Sequence, residues 1–152
     1  MMDMGAHVVH AFCTLFGRAE AVWAEITNRS GAYPDVDDFG VAHIRFRNGV
    51  FATMEASWVQ TGGIGGLEVT GRDRAIWNTE TGYRIGGPDH PATPLTLADA
   101  RPDGVERLLA AARGKLTPEE LAVDREATFG AVMVMAAAYR SAAAGGVWTD
   151  VR

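Results

Sequence analysis

Apolar and polar positions alternate with a helical period over the first part of the chain. Gly5–Phe16 is predicted to form a helix, and Gly17 is predicted to end it as a left-handed (αL) residue. At about 100° per residue, the apolar side chains fall on one arc, namely Val8, Val9, Phe12, Leu15 and Phe16. A narrow polar stripe occupies the opposite side and consists of Asp3, His7, His10 and Thr14. Asp3 belongs to it only if the helical turn reaches back to that residue.

The polar stripe differs from an ordinary solvated helix face. Such a face usually carries lysine, glutamate and glutamine, whereas no lysine, arginine or glutamate precedes Arg18 in this sequence. The stripe instead carries a carboxylate, two imidazoles and a hydroxyl. This composition is typical of a wall of a polar cleft.

Three interpretations of the stripe remain open from its spacing. The two histidines can be ordinary surface or structural residues, the commonest role for histidines on a helix. A metal site could use Asp3, His7, His10 and Cys13, although Cys13 points away from the stripe and the sequence has no second cysteine. Finally, an imidazole held by a carboxylate can serve as an acid or base near neutral pH.

A series of short alternating segments follows the helix. The predicted strands are 21–27, 37–47, 50–58, 67–70, 75–78 and 83–85. Asn48-Gly49 lies between the second and third predicted strands. This pair predicts a type I′ hairpin turn, in which both central residues have positive φ. Because tight turns join consecutive strands, the pattern predicts an antiparallel sheet.

The two faces of this sheet differ in their side chains. One face has small residues that suit close packing against helices, namely Gly40, Ala42, Ala52 and Ala56. The other face mixes apolar and polar side chains: Phe39, Val41, His43, Arg45, Phe51, Thr53 and Glu55. Such a face is either a subunit contact or a solvated surface, and the sequence leaves both open.

Residues 86–152 are predicted to be mainly helical. Residues 86–104 contain four prolines and are predicted to form a loop, followed by a short helix at 105–113. Thr117 is predicted to cap a helix, with Pro118 in the first turn and Glu120 at the capping-box position. Asp124 is a candidate cap of a further helix that runs to about residue 144. Residues 127–138 are apolar nearly all round, which predicts burial on several sides, and 147–151 is predicted to be extended. This order predicts a single α+β domain over 1–152, with an open, mainly antiparallel sheet and helices packed on one face.

Composition narrows the function classes. With 47% hydrophobic and 22% charged residues, the 152-residue chain has an ordinary soluble globular composition. The net charge of −5 without a basic cluster argues against a nucleic-acid surface, and no apolar stretch is long enough to suggest a membrane partner. A single cysteine rules out an internal disulfide and favours a cytoplasmic location. The glycine-rich segment 62–66 lies between strands rather than before a helix, so it does not predict a dinucleotide site.

The segment Asp3-Met4-Gly5-Ala6-His7, in a helix closed by Gly17, resembles the D-x-G-x-H segment that opens the C-terminal domain of the Gfo/Idh/MocA family. Members of this family are NAD(P)-dependent oxidoreductases that act on sugars, inositols and related polyols. The resemblance continues through the hairpin 39–58, the strand pair 67–77 and the helical segment 136–142, which is followed by glycine. The order and spacing of these segments together carry the resemblance.

The resemblance implies a fold, an assembly and a site. The implied fold is the glyceraldehyde-3-phosphate-dehydrogenase-like C-terminal domain, whose open sheet face commonly forms dimers or tetramers. The substrate lies between this domain and a preceding Rossmann domain. By position, Asp3 resembles the substrate-binding acidic residue, and His7 resembles the histidine that exchanges a proton with the substrate hydroxyl. His10 faces the same cleft and stands where many members have aspartate.

The sequence departs from the family pattern because the Rossmann domain and the lysine that it contributes are absent from this chain. The resemblance therefore implies the substrate-binding and oligomerisation half of an oxidoreductase, inactive by itself. NAD or NADP belongs to the full-length context, and no cofactor is expected on this chain alone. The alternative is a stand-alone, non-catalytic binding or assembly module with the same fold.

Overall fold

The computed structural model describes residues 1–63, 65–96 and 104–152, except for the side chain of Met2. The chain forms two compact units, Met1–Val59 with Leu109–Arg152 and Gln60–Leu108. The predicted α+β class, with antiparallel strands and helices on one sheet face, is confirmed. In the described residues no helix is both long and apolar enough to cross a membrane.

The first helix, α1 (Met2–Phe16), begins three residues earlier than predicted. The turn therefore includes Asp3, which is the condition for the complete polar stripe. Gly17 follows the helix as predicted, but its φ of 79° and ψ of −138° lie outside the left-handed helical region, so the αL prediction is wrong. The positive φ still explains why glycine stands at this position.

The first unit contains an antiparallel sheet of four strands in the order β3-β2-β1-β8. The strands are β1 (Ala19–Thr27), β2 (Phe39–Phe46), β3 (Phe51–Ser57) and β8 (Thr149–Asp150). The predicted alternation is confirmed, because Ala42, Ile44, Ala52 and Met54 are all buried. The predicted strand 50–58 includes Trp58, but the strand ends at Ser57 and Trp58 is exposed.

The turn between β2 and β3 differs from the predicted type I′ hairpin. Gly49 has a φ of 87°, whereas Asn48 does not have a positive φ. The Gly49 N–H donates to the Phe46 carbonyl at 3.0 Å. The Asn48 side chain accepts from the Val50 N–H at 3.2 Å and donates to the Phe16 carbonyl at 3.1 Å. Its amide thus stabilises the turn and ties it to the end of α1, which a two-residue hairpin signal does not reveal.

The second unit contains a separate antiparallel sheet in the order β4-β5-β6-β7, whereas the sequence pattern predicted one sheet. Its strands are β4 (Val69–Thr70), β5 (Ala75–Thr79), β6 (Gly82–Gly87) and β7 (His90–Pro94). Strand β7 corrects the predicted loop at 86–104, of which residues 97–103 lie outside the described residues. Pro91 and Pro94 fit there because an edge strand tolerates residues without an N–H donor.

The helices of the last third are α2 (Gly104–Ala112) and α3 (Pro118–Ala143). The capping box of Thr117 and Glu120 is confirmed. Asp124 does not cap a new helix, because α3 continues through it without a break. The prediction that α3 is buried on several sides is wrong, since Phe129 and Val132 are exposed on the side away from the sheet.

Helices α1 and α3 cover one face of the first sheet. α3 packs on β1, α1 packs on β3, and the two helices pack against each other. Ser141 of α3 is completely buried, where its hydroxyl accepts from the Ala24 N–H at 2.9 Å and donates to the Val147 carbonyl at 2.6 Å. Ser141 therefore links α3 to β1 and to the segment that leads into β8. No helix in the described residues covers the opposite face of the sheet.

Candidate functional site

The polar stripe of α1 is exposed along its length. Asp3, His7 and His10 are exposed, and Thr14 is half-buried with its hydroxyl donating to the His10 carbonyl at 2.8 Å. Residues three or four apart on a helix have Cβ atoms about 5–6 Å apart. Asp3, His7 and His10 are therefore brought together as predicted. Within the described part of the chain, none of these three side chains makes a hydrogen bond or an ion pair, so all three are free to meet a ligand.

The opposite side of α1 faces the core. Val9, Phe12 and Cys13 are buried, whereas Leu15, which was predicted on the same arc, is 57% exposed. Cys13 points toward Gly130 of α3, where an added Cβ would lie 3.3 Å from its sulfur. Burial raises the pKa of the Cys13 thiol to about 11, which keeps it protonated at neutral pH.

The metal interpretation gains no support from this geometry. A ligand set of Asp3, His7, His10 and Cys13 would need the thiol on the same side as the imidazoles, and Cys13 lies on the opposite side. The described residues contain no group of three or more histidine, cysteine, aspartate or glutamate side chains arranged to hold a metal ion.

A cleft of about 730 Å³ lies beside the N-terminal end of α1, and Asp3 contributes to its lining. His7 and His10 are not among the residues that line it. Its apolar walls come from Tyr33 and Val36 of the β1–β2 loop and from Trp58 and Val59 after β3. Because Tyr33 and Trp58 are 74% and 67% exposed, their rings are accessible to a ligand.

The loop that forms one wall of this cleft is held by side-chain hydrogen bonds. The Asp38 carboxylate accepts from the backbone N–H of Arg29 at 2.6 Å and from that of Ser30 at 2.8 Å. Hydrogen bonds from the Ser30 side chain and from these backbone groups lower the pKa of Asp38. Asn28 adds two further bonds, accepting from the Gly31 N–H and donating to the Tyr33 carbonyl. The cleft wall is therefore preorganised.

The carboxylates in the cleft lining have different environments. Asp37 accepts a hydrogen bond from the Tyr139 hydroxyl at 2.7 Å and pairs with the amino group of Met1. Asp38 is occupied by the loop backbone. Asp3 makes no hydrogen bond or ion pair in the described residues, although its charge acts on the Met1 amino group, so its carboxylate oxygens are available to a bound molecule.

Sequence reasoning placed Asp3 but did not find the cleft beside it. The usable signals were the aromatic residue Trp58 at a strand end and Tyr33 in a turn-rich loop. They do not predict the cleft, because the alternation includes Trp58 in a strand and the contact of residues 30–38 with the start of α1 depends on tertiary packing.

The open face of the first sheet carries a row of aromatic contacts. The ring centroid of His43 lies 5.2 Å from Trp23 and 5.8 Å from Phe51, and Phe51 lies 6.2 Å from Trp148. The Arg45 guanidinium lies 4.0 Å above the centroid of the Trp148 ring. His43 Nδ1 also lies 3.0 Å from the Thr53 hydroxyl. This aromatic row, with Arg45 and Thr53, gives the open face a half-apolar surface.

Comparison with solved structures identifies the fold. A levoglucosan dehydrogenase in complex with NADH and levoglucosan matches with a TM-score of 0.70 and 21% identity, over 99% of this chain and 49% of that chain. An NAD-binding protein from Listeria innocua matches with a TM-score of 0.78 and 18% identity, over 97% and 46%. An inositol dehydrogenase homologue from Azotobacter vinelandii, complexed with NADH and myo-inositol, matches with a TM-score of 0.69 and 15% identity, over 97% and 48%.

These identities show a shared fold, and the chain spans about half the length of each of these structures. A comparison with curated protein sequences finds no match. The family model for the GFO/IDH/MocA C-terminal domain matches residues 1–77, which include α1 with its polar stripe and all of β1 to β3. The chain therefore belongs to the GFO/IDH/MocA family, as a C-terminal domain of that family.

Proposed function

We propose that this chain is the substrate-binding and oligomerisation half of an NAD(P)-dependent oxidoreductase that acts on a sugar, an inositol or a related polyol. The observation that carries the proposal is the pair Asp3 and His7, which lie one helical turn apart on the exposed stripe of α1. Both residues fall within the segment that matches the family model. The chain completes an active site when a nucleotide-binding half is supplied.

In the proposed reaction His7 handles the proton. The O–H bond of the substrate alcohol breaks as its proton passes to the His7 imidazole, while the carbon of the same alcohol gives up a hydride. When bound by the nucleotide-binding half, the nicotinamide supplies the hydride acceptor. Because the His7 ring is exposed, it can then return the proton to solvent.

Asp3 is proposed to bind and orient the substrate. A carboxylate whose oxygens make no internal hydrogen bond can accept hydrogen bonds from two neighbouring hydroxyl groups, the feature that distinguishes a polyol from a simple alcohol. His10, one turn beyond His7, is proposed as a further hydrogen-bonding group for the same ligand. Asp3 and His10 can both bind the substrate in this way because their side chains lie on the exposed side of α1.

The cleft beside Asp3 supports the substrate class. Carbohydrate rings have apolar faces edged by hydroxyl groups, so they suit a site that combines exposed aromatic rings with a carboxylate. Tyr33 and Trp58 supply such rings, and Asp3 supplies the carboxylate. Complexes of similar folds with levoglucosan and with myo-inositol favour the same class.

The open face of the first sheet is the proposed oligomer contact. Its aromatic row and Arg45 form a surface that a second copy of the chain can cover, and aromatic residues and arginine are enriched in such interfaces. A homodimer or homotetramer in the cytoplasm is the state we expect.

The test is a fusion in which the nucleotide-binding half of a structurally similar dehydrogenase precedes Met1. We expect NAD⁺- or NADP⁺-dependent oxidation of at least one member of a panel of inositols and sugars. His7→Ala should lower kcat by about 100-fold or more, as expected for loss of an acid–base group. The matched control His90→Ala removes an exposed histidine of the second unit and should leave kcat unchanged.

The alternative, a stand-alone, non-catalytic binding or assembly module, makes a different prediction. In that case the fusion stays inactive with every polyol, and the chain alone forms a stable oligomer that His7→Ala does not change. An active fusion with full activity after His7→Ala would contradict the proposed role of His7 while leaving the domain assignment standing.

A further inference from the structure

A second concavity in the first unit, of about 480 Å³, lies where the end of α1, the β2–β3 turn and α3 meet. We call it the arginine cleft, because Arg18, Arg47 and Arg125 line it. Phe129 and Met133 of α3 provide apolar lining, and Glu126 is the carboxylate among the lining residues. Asp3 lies near the other end of α1, about 20 Å away along the helix axis at about 1.5 Å per residue.

The arginine cleft has an excess of positive charge on a chain whose net charge is −5. Arg18 lies 3.5 Å from Glu126, but both side chains are mostly exposed, so this pair is weak. The guanidinium groups of Arg47 and Arg125 have no ion-pair partner in the described part of the chain. Two uncompensated cations therefore face one concavity, which raises the local concentration of anions.

The backbone around these arginines is fixed. The Arg47 N–H donates to the Arg18 carbonyl at 3.0 Å, which holds the two residues side by side. Carbonyls at the end of α1 would repel an anion if they were free. Here the Phe16 carbonyl accepts from the Asn48 side chain, and the Cys13 carbonyl accepts from the Gly17 N–H. The backbone that carries Arg18 and Arg47 is thus held in place, and these two carbonyls are occupied.

The apolar lining indicates that the ligand is more than a simple ion. Phe129 is 65% exposed, although it lies on a helix whose other side supplies the core. Its ring lines the same concavity as the two unpaired guanidinium groups. An exposed phenylalanine contributes little to folding, whereas beside cations it offers a flat surface on which a ring can stack.

We propose that the arginine cleft binds a small phosphate-bearing molecule that also carries a ring. Arg47 and Arg125 hold the phosphate, for which the guanidinium fork is suited, and Phe129 contacts the ring. The volume lies within the range of about 300–1,000 Å³ found for small-molecule sites. A sugar phosphate and a nucleotide share this chemistry. The inference does not rest on the proposed dehydrogenase function, because none of its residues belongs to the polar stripe.

The test is calorimetric titration of the whole chain at low salt with three probes: inorganic pyrophosphate, glucose 6-phosphate and ADP. We expect saturable binding of at least one ring-bearing probe. The double variant Arg47→Gln/Arg125→Gln should weaken that binding at least tenfold. The control Arg72→Gln/Arg113→Gln removes the same charge from two exposed arginines outside the cleft lining and should leave binding unchanged. Thermal unfolding of each variant verifies that it folds.

Phe129→Ala separates the two parts of the ligand. The substitution should weaken binding of the ring-bearing probe several-fold and leave pyrophosphate binding unaltered. Whether glucose 6-phosphate or ADP binds more tightly identifies the ligand as a sugar phosphate or a nucleotide. Absence of binding by all three probes would overturn the site. So would an equal loss in the control double variant, because binding would then reflect overall charge. Binding of pyrophosphate alone would overturn the assignment of Phe129 to a ring.

Discussion

The two faces of the first sheet come from the same strands but differ in chemistry. The face under α1 and α3 carries small and aliphatic side chains that are buried, namely Val22, Ala24, Ala42, Ile44, Ala52 and Met54. The open face carries larger, partly exposed side chains, and those of the aromatic row are Trp23, His43, Phe51 and Trp148. Phe46 of β2 is the aromatic residue of the covered face and is buried there, whereas the rings of Trp23 and Phe51 lie on the side without a helix.

The difference between the two faces suggests that one contributes mainly to folding and the other mainly to association with another chain. Small side chains on the covered face let the helices approach the sheet closely, so folding depends on that face. The aromatic row is ordered by contacts among its own rings and by the bond from Trp23 Nε1 to the Gly146 carbonyl. We therefore expect substitutions on the covered face to lower stability, and substitutions on the open face to affect assembly.

The largest expected effect on stability is that of Ile44→Ala. Ile44 is completely buried in the centre of β2, so truncation leaves a cavity beneath the helices and should cost about 2–5 kcal/mol. Val41→Ala, on the open face of the same strand, should cost less than half as much. Denaturant unfolding followed by circular dichroism measures both. Equal losses would mean that the two faces are equally important for folding.

A smaller effect is expected for Ser141→Ala. The substitution leaves the buried Ala24 N–H without an acceptor and should lower the free energy of unfolding by about 1–3 kcal/mol. Thr128→Ala is a matched control on the same helix, because its exposed hydroxyl bonds only to the Asp124 carbonyl one turn earlier. The control should change stability by less than about 0.5 kcal/mol. A neutral Ser141→Ala would show that the link between α3 and β1 is dispensable.

Much of this comparison could be predicted from the sequence. The alternation along β2 and β3 predicts Ala42, Ala52 and Ala56 on the covered face, because side-chain direction in a strand has a period of two. Asp3 and His7 are four residues apart, and this spacing predicts one side of a helix because a helical turn takes about 3.6 residues. Local periodicity therefore predicted both the core and the stripe.

Features that depend on tertiary packing could not be predicted in this way. The same alternation continued through Trp58, but the strand ends at Ser57 and Trp58 turns into the cleft beside Asp3. Phe129 fits an all-apolar helix in sequence, yet only the placement of α3 on the sheet decides that it is exposed. Arg18, Arg47 and Arg125 are distant in sequence and carry no joint pattern.

The burial of Cys13 between α1 and α3 should make the stability of the protein depend on pH. The folded-state pKa of the Cys13 thiol, about 11, is raised by burial from the ordinary value of 9.0. The folded protein therefore holds the thiol proton more tightly than the unfolded chain, so stability is complete below pH 9 and falls between pH 9 and 11, by at most about 1.4 kcal/mol per pH unit. Cys13→Ala should abolish this part of the pH dependence. Identical slopes in both proteins would indicate that the thiol is solvated.

Apart from the control substitutions, Phe51→Ala is expected to change monomer stability least. The ring is 58% exposed, so we expect a loss below about 1 kcal/mol even though it contacts His43 and Trp148. If the open face joins copies of the chain, the same substitution should lower the mass measured by light scattering to that of the monomer. Leu15→Ala, with a side chain 57% exposed on α1, is the matched control and should leave the mass unchanged. An oligomer that survives Phe51→Ala would place the contact elsewhere, and a large loss of monomer stability would contradict the separation of folding from association.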